Sequence, residues 1–277
     1  MNPLLHHLMG EGVLRPLASP LYRGLIGGLL LWERLRDLCF ASPREQAFIE
    51  ANLTLSIKTF ERPHTLKRLI RSIRRFYPKV KIIVVDDSRE CVVLEGVEVY
   101  RLPYDSGVSA GRNEALNHID TPYMMLLDDD FIFTRHTRLL PQLRRLEANP
   151  SMDLIAGTVI DLPWYRTIDY RHERLHPTSA EPRLPLGSRI DGLTIYDKLP
   201  NFYIARTAGV RRVGWDTHLK RLDHADFFTR AKGVLVSLYN PQFQILHART
   251  PFDLAYQRKR YSLDEDKAWL YQKYYRG

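Results

Sequence analysis

Cysteine is nearly absent from this chain: Cys39 and Cys91 are its only two among 277 residues. Two thiols are too few for a disulfide framework or a cysteine-based zinc cluster, so a reducing compartment is the simplest setting. Long apolar runs are missing too. The uncharged run from Gly24 to Trp32 is about half of the ~20 residues that a membrane-spanning helix needs. No small-residue cleavage site follows it, which argues against a secretory signal. The expectation is a cytoplasmic protein, peripheral at most on the inner membrane face. A glycine-rich phosphate loop of the Walker or dinucleotide type is also lacking. Any bound nucleotide must therefore have its phosphates carried by a metal and by Arg or Lys side chains. Acidic residues are outnumbered, 32 against 41 Lys and Arg, giving a net charge of +9. That balance suits anionic partners: nucleotide phosphates, an acidic membrane surface or nucleic acid.

What is present suits a packed α/β domain, since 44% of the residues are apolar and 26% charged. We expect a helical N-terminal segment over residues 1–50 and one catalytic domain over 51–277. In the first of these, Leu31, Trp32, Leu35, Leu38 and Cys39 fall at helical spacing, with Arg34, Arg36 and Asp37 on the other side. This is an amphipathic helix that either lies on a membrane surface or packs on the catalytic domain.

From Leu53 onward strand and helix signals alternate, as in a mainly parallel sheet covered by helices. Leu53–Thr59 is a β-prone run. Pro63 opens a helix whose inner stripe is Leu66, Leu69, Ile70 and Ile73. Strands are expected over Lys81–Val85, Val97–Leu102 and Tyr123–Leu127, with a helix over Gly107–His118. Asp161–Pro200 is a proline-rich stretch of the kind that forms functional loops. Its Trp164, Tyr165 and Tyr170 suit either stacking on a ligand or packing beneath the loop. Gly192–Ile204 returns to a strand pattern, Phe243–Leu246 is strand-like, and the basic, aromatic tail after Arg249 suits a terminal helix.

Two apolar runs break off in carboxylates: Asp86 and Asp87, followed by Ser88, and the triplet Asp128, Asp129, Asp130. Adjacent carboxylates repel one another, and at the end of a buried strand they call for a cation. Oxygen ligands of this kind suit Mg²⁺ or Mn²⁺ with positions left open for a diphosphate. Ligands of open α/β sheets bind outside the carboxyl ends of the strands, so both clusters should face one crevice.

The ordered series SIKTFERP (Ser56–Pro63), VVDDS (Val84–Ser88), SAGRNEAL (Ser109–Leu116), LLDDDF (Leu126–Phe131), NFYIART (Asn201–Thr207), DHADFF (Asp223–Phe228) and ILHAR (Ile245–Arg249) resembles the inverting GT-A glycosyltransferases. Among these it is most similar to the ganglioside-type β-1,4-N-acetylgalactosaminyltransferases. The resemblance implies a Rossmann-like GT-A fold and Mn²⁺- or Mg²⁺-dependent transfer of a sugar from a UDP-sugar to a glycan or glycolipid hydroxyl, with inversion. GalNAc is the first expected sugar, then GlcNAc or galactose. It implies that Asp130 holds the metal, joined by His247, and that Asp128 places ribose and phosphate while Asp129 orients its neighbours. Asp87, with Thr59 and Arg62, would contact the uracil end. Arg112 would reach the diphosphate, support Asp87, or pair with one of these carboxylates, and Asp86 would be structural. Asp226 takes the catalytic-base position, one methylene shorter than the Glu expected there; Asp223 or His224 acting instead, or Asp226 capping a helix, are the alternatives. Competing functions are a non-catalytic protein binding anionic membranes or nucleic acid, and a sugar nucleotidyltransferase. The acidic strand ends count against the former, and the missing basic phosphate loop against the latter; no nucleic acid is expected as a partner.

Overall fold

The computed structural model describes residues 14–36, 42–167, 169 and 174–276. Asp37, Leu38, Cys39 and Tyr170, singled out above, lie outside them. In chain order the elements begin with helices α1 (Arg15–Arg36) and α2 (Pro43–Asn52), strand β1 (Leu53–Thr59), helix α3 (Pro63–Phe76), and strands β2 (Lys81–Asp86) and β3 (Glu98–Arg101). Then come α4 (Val108–Asn117), β4 (Tyr123–Asp128), β5 (Phe131–Ile132), α5 (Leu139–Ala148), β6 (Leu154–Asp161) and β7 (Arg166–Thr167). The remainder is β8 (Arg189–Ile190), β9 (Leu193–Ile195), β10 (Tyr203–Arg206), α6 (Thr207–Val213), α7 (Asp223–Ala231), β11 (Ser237–His247), α8 (Leu254–Arg260) and α9 (Asp264–Tyr275).

One sheet, in the order β3-β2-β1-β4-β10-β6-β11-β9-β8, runs through the molecule. The first four strands are parallel, β10 is antiparallel to both β4 and β6, and β11 is parallel to β6. It follows that β1, β2, β4, β6 and β11 all finish at the same edge. Their last residues are Thr59, Asp86, Asp128, Asp161 and His247. The sheet thus delivers five polar side chains to one rim.

Helices cover both faces, so strand residues pointing either way are buried, as a parallel sheet demands. On one face Leu55, Ile57, Met125 and Leu127 pack with Leu66, Leu69 and Ile73 of α3 and Leu143 of α5. On the other, Ile83, Val85, Met124 and Leu126 pack with Leu116 of α4, Val210 of α6 and Phe227 and Phe228 of α7. The expected α3 stripe is buried throughout, each of these side chains contributing about 2 kcal/mol by removal from water.

Two expectations are corrected. The strand pattern over Gly192–Ile204 is split into β9 and β10. Pro200, which has no N–H to give a ladder, lies in the break. The N-terminal helix divides its apolar residues: Tyr22, Ile26, Leu29 and Leu30 pack on Ile132, Leu162, Leu246 and Ala248, while Leu31, Trp32 and Leu35 are exposed. No helix among the described residues is long and apolar enough to cross a membrane.

Candidate active site

A cavity of about 310 Å³ opens at the rim where the five strands end. Lys58, Arg62, Arg112, the triplet Asp128–Asp130, Asp223, His224 and His247 all line it. Asn201, Lys220, Arg221 and the α8 residues Tyr256, Lys259 and Arg260 line it as well.

The three aspartates have different surroundings. Asp128 has a side chain 40% exposed and accepts from Arg112 Nη2 at 3.1 Å. Asp129 is buried and accepts from Thr59 Oγ1 at 2.7 Å and from Arg62. Asp130 accepts from Arg62 Nη1 at 2.9 Å, and its Oδ1 lies 3.2 Å from His247 Nε2. Arg62 itself stacks on Tyr256, its guanidinium carbon 3.7 Å from the ring centroid. Burial favours the neutral carboxyl for both buried aspartates. At Asp129 it outweighs Arg62 and raises the pKa, whereas at Asp130 the charges of His247 and Arg62 win and hold the carboxyl well below its ordinary range. The triplet is therefore divided between one presented carboxylate, one clamped one and one poised beside an imidazole.

His247 is oriented from behind. Its Nδ1 lies 2.7 Å from Asp161 Oδ1, and Arg249 Nη2 donates to Asp161 Oδ2 at 2.8 Å. Burial would lower the imidazole pKa, but Asp130 and Asp161 overcome this and push it up to about 9. No group of three or more His, Cys, Asp or Glu forms a metal cage among the described residues. The 3.2 Å between Asp130 Oδ1 and His247 Nε2 nevertheless matches the ~3 Å edge of an octahedron with ~2.1 Å bonds, the geometry of Mg²⁺ that keeps several positions for phosphate and water. Asp161 stands where a metal-bound histidine needs a carboxylate on its other nitrogen. These residues fit a divalent ion.

Just past the end of β2, Asp87 is buried, with Lys58 Nζ 2.6 Å from Oδ1 and the Gly107 N–H donating to Oδ2 at 2.8 Å. Burial lowers the Lys58 pKa against the pull of Asp87. Gly107 has φ +96°, and a Cβ built on it would meet Lys220 Cα at 2.6 Å, so glycine is required both for the conformation and for the close passage of the two chain segments. Asp86 accepts from the Ser88 and Val92 N–H groups at 2.9 and 2.8 Å and shapes the turn after β2.

Of the residues expected at the uracil end, Arg62 lines the cavity and Thr59 does not, and the two side chains are bonded to Asp129 and Asp130. Arg112 bridges Asp128 and Asp223 and makes no contact with Asp87, the carboxylate-pairing alternative. Trp164 and Tyr165 are exposed and do not line the cavity.

The principal correction concerns Asp226. It is fully buried away from the cavity, accepting from Arg230 Nε at 2.8 Å, Lys273 Nζ at 2.6 Å and the Tyr274 hydroxyl at 2.7 Å. The first turn of α7 instead turns Asp223 and His224 toward the cavity. His224 Nε2 lies 2.6 Å from the Leu199 carbonyl, to which it must donate, so the neutral ring carries its lone pair on Nδ1. Asp266 of α9 holds this turn from below, accepting from the N–H groups of Lys220, Arg221 and Leu222 at 3.1, 2.7 and 2.8 Å.

Sequence reasoning passed over Lys58 and Asp161. Each carried a signal: Lys58 is the one charge in the otherwise uncharged β1 run, and β6 ends in a carboxylate just as β2 and β4 do. Lys259 and Arg260 belong to the basic tail, whose sequence carries no sign that it reaches the cavity.

Fold and rim together define a domain of the GT-A glycosyltransferase class. Residues 54–214 match the family described as Glycosyl transferase family 2, more than half of the chain, and the chain belongs to that family. It is 38% identical over 203 residues to the human protein named Beta-1,4 N-acetylgalactosaminyltransferase 1, covering 68% of this chain and 37% of that one. To mouse Beta-1,4 N-acetylgalactosaminyltransferase 2 it is 34% identical over 220 residues, covering 76% and 42%. The chain thus spans about two fifths of the length of these relatives. In fold it is similar to S. aureus TarS, whose structure in complex with UDP-GlcNAc superposes with a TM-score of 0.55 at 16% identity, covering 72% of this chain and 59% of that one.

Proposed function

We propose that this protein moves a sugar from a UDP-sugar to a hydroxyl of a glycan or glycolipid, with inversion at the anomeric carbon and with Mn²⁺ or Mg²⁺ bound at Asp130 and His247. The observation that carries this reading is the convergence, on one cavity, of Asp130 and His247 at metal-chelating separation, with His224 lining the same cavity. The names of the N-acetylgalactosaminyltransferase relatives favour GalNAc as the sugar, with GlcNAc or galactose next. The UDP-GlcNAc complex of TarS supports a uridine donor.

In this reading Lys58 lines the uracil pocket and Asp87, buried behind it, holds the Lys58 ammonium in place, while Asp128 takes the ribose or a phosphate. Thr59 and Arg62 keep Asp129 and Asp130 in place, and Arg112 ties the donor triplet to the first turn of α7. The bound cation supplies Lewis-acid stabilisation of the departing diphosphate. His224 Nδ1 takes the acceptor proton as the acceptor oxygen bonds to the anomeric carbon and the bond to the diphosphate oxygen breaks on the opposite face. Asp223 holds Arg112 and is not the base, because its carboxylate is already committed to that ion pair.

Calorimetric titration of UDP, with and without Mn²⁺, into the wild-type protein and Asp130→Ala tests the donor half. Metal-dependent binding that vanishes in the variant supports it, and absence of UDP binding under every condition overturns the uridine donor. Turnover with UDP-GalNAc, UDP-GlcNAc and UDP-galactose then ranks the donors.

A further inference from the structure

Helix α1 has two apolar sides and one partner. Its inner side is occupied: Tyr22, Ile26, Leu29 and Leu30 pack on the domain, and the Tyr22 hydroxyl donates to the Arg249 carbonyl at 3.2 Å. On the outer side Leu17, Leu21, Leu25, Leu31, Trp32 and Leu35 are between 49% and 74% exposed. At 100° per residue these six occupy an arc of roughly 120°, and Gly24 and Gly28 fall within the same arc. Every charged side chain of the helix lies off this arc. A soluble helix ordinarily spends its leucines on its own core, and an unbroken exposed stripe of this length marks a contact surface.

The charges beside the stripe say which contact. Arg15, Arg23, Arg34 and Arg36 edge the helix, while its one acidic residue, Glu33, accepts from the Tyr165 hydroxyl at 3.1 Å. The neighbouring α3 contains five basic residues and no acidic one, with Lys67 and Arg71 exposed. Arg75 of α3 reaches the Arg34 carbonyl at 2.6 Å, and Arg135 reaches the Arg36 carbonyl at 3.1 Å, so these basic groups adjoin the C-terminal half of α1. Pressing two copies of this face together would set arginine against arginine. A sheet of anionic headgroups over an apolar interior matches both features at once, the leucines entering the acyl boundary and the guanidinium groups meeting phosphates.

We propose that the outer face of α1, with the basic surface of α3 beside it, docks on an anionic phospholipid bilayer. The contact requires no spanning segment and does not depend on which sugar is transferred. Because the inner side of α1 touches Arg249, which pairs with the Asp161 that holds His247, docking would place α1 between the lipid surface and this series of contacts to the candidate site.

The test is co-sedimentation of the full chain with vesicles of phosphatidylglycerol and phosphatidylcholine, and with vesicles of phosphatidylcholine alone. The comparison protein carries Leu21→Gln, Leu25→Gln and Trp32→Gln, all exposed positions whose change leaves thermal unfolding unaltered. The expected result is binding to the anionic vesicles that weakens with added salt and falls at least about tenfold in the triple variant. Absence of binding to phosphatidylglycerol vesicles at low salt overturns the proposal. So does equal binding of the triple variant, which would leave charge alone as the cause. A wild-type dimer by light scattering that the triple variant dissolves, without lipid binding in either, gives the face to a second copy of the chain instead.

Discussion

Replacing Asp226 by alanine separates a structural carboxylate from a catalytic one. In the folded protein Asp226 is fully buried and joins α7 to α9 through Arg230, Lys273 and Tyr274. Removing one member of a buried ion pair costs about 3–5 kcal/mol when its partner is left uncompensated. Here the partner side chains of Arg230 and Lys273 are 26% and 23% exposed, so water recovers part of their charge; we take about 2–4 kcal/mol. For a domain of this size that lowers the melting temperature by roughly 5–12 °C. His224→Ala, in contrast, touches a partly exposed ring and is expected to melt within about 2 °C of wild type while turnover falls at least about 100-fold with UDP affinity unchanged. Differential scanning fluorimetry and initial rates at low temperature, on the same preparations, give both readings. An Asp226→Ala protein that melts like the wild type but transfers no sugar would refute this assignment and restore Asp226 as the base.

Mn²⁺ binding should strengthen about tenfold for each pH unit from 6 to 8, because the metal must displace a proton from an imidazole held at about 9; titration in buffers of different ionisation enthalpy checks that close to one proton is released. In the metal-free protein the same raised pKa stabilises the fold fully below pH 6.5, and that contribution disappears as pH rises through about 9; metal-free melts across this range read it. Gly107→Ala should destabilise by about 2 kcal/mol or more and weaken UDP binding, since the methyl collides with Lys220 and disturbs the N–H donated to Asp87; denaturant unfolding and UDP titration measure the two effects. Arg112→Ala strands the buried Asp223 carboxylate and should cost about 3–5 kcal/mol, whereas Arg112→Lys, which keeps the charge but loses the bridge to two carboxylates, should cost less in stability than in turnover.

The parallel half of the sheet could be read from the chain because apolar runs of strand length are inherently visible and each ends abruptly in charge. Leu53–Thr59 was located to the residue, and the stripe of α3 is buried as its spacing requires. The antiparallel strand β10, which lets β6 and β11 finish at the same edge as β4, leaves no such mark, and without it the meeting of Asp161 and His247 cannot be foreseen. Asp226 was misplaced for a similar reason. Whether a residue in the first turn of a helix points into a cavity or toward a neighbouring element depends on what covers it, and Lys273 and Tyr274 lie more than forty residues downstream. The bonds of Thr59 and Arg62 to Asp129 and Asp130 leave no mark in the sequence, since β1 lies between β2 and β4 and both neighbours end in carboxylates.

The stretch by which the family is recognised stops at residue 214, and Asp223, His224, His247 and the cationic wall of α8 all come after it. The rim is therefore assembled from two stretches of chain: an earlier one, from Lys58 to Asp130, and a later one that reaches the rim through the separately laid β11 and α7. If the proposed division of labour holds, substitutions confined to α7 and α8 change which acceptor is used while UDP binding stays as it is.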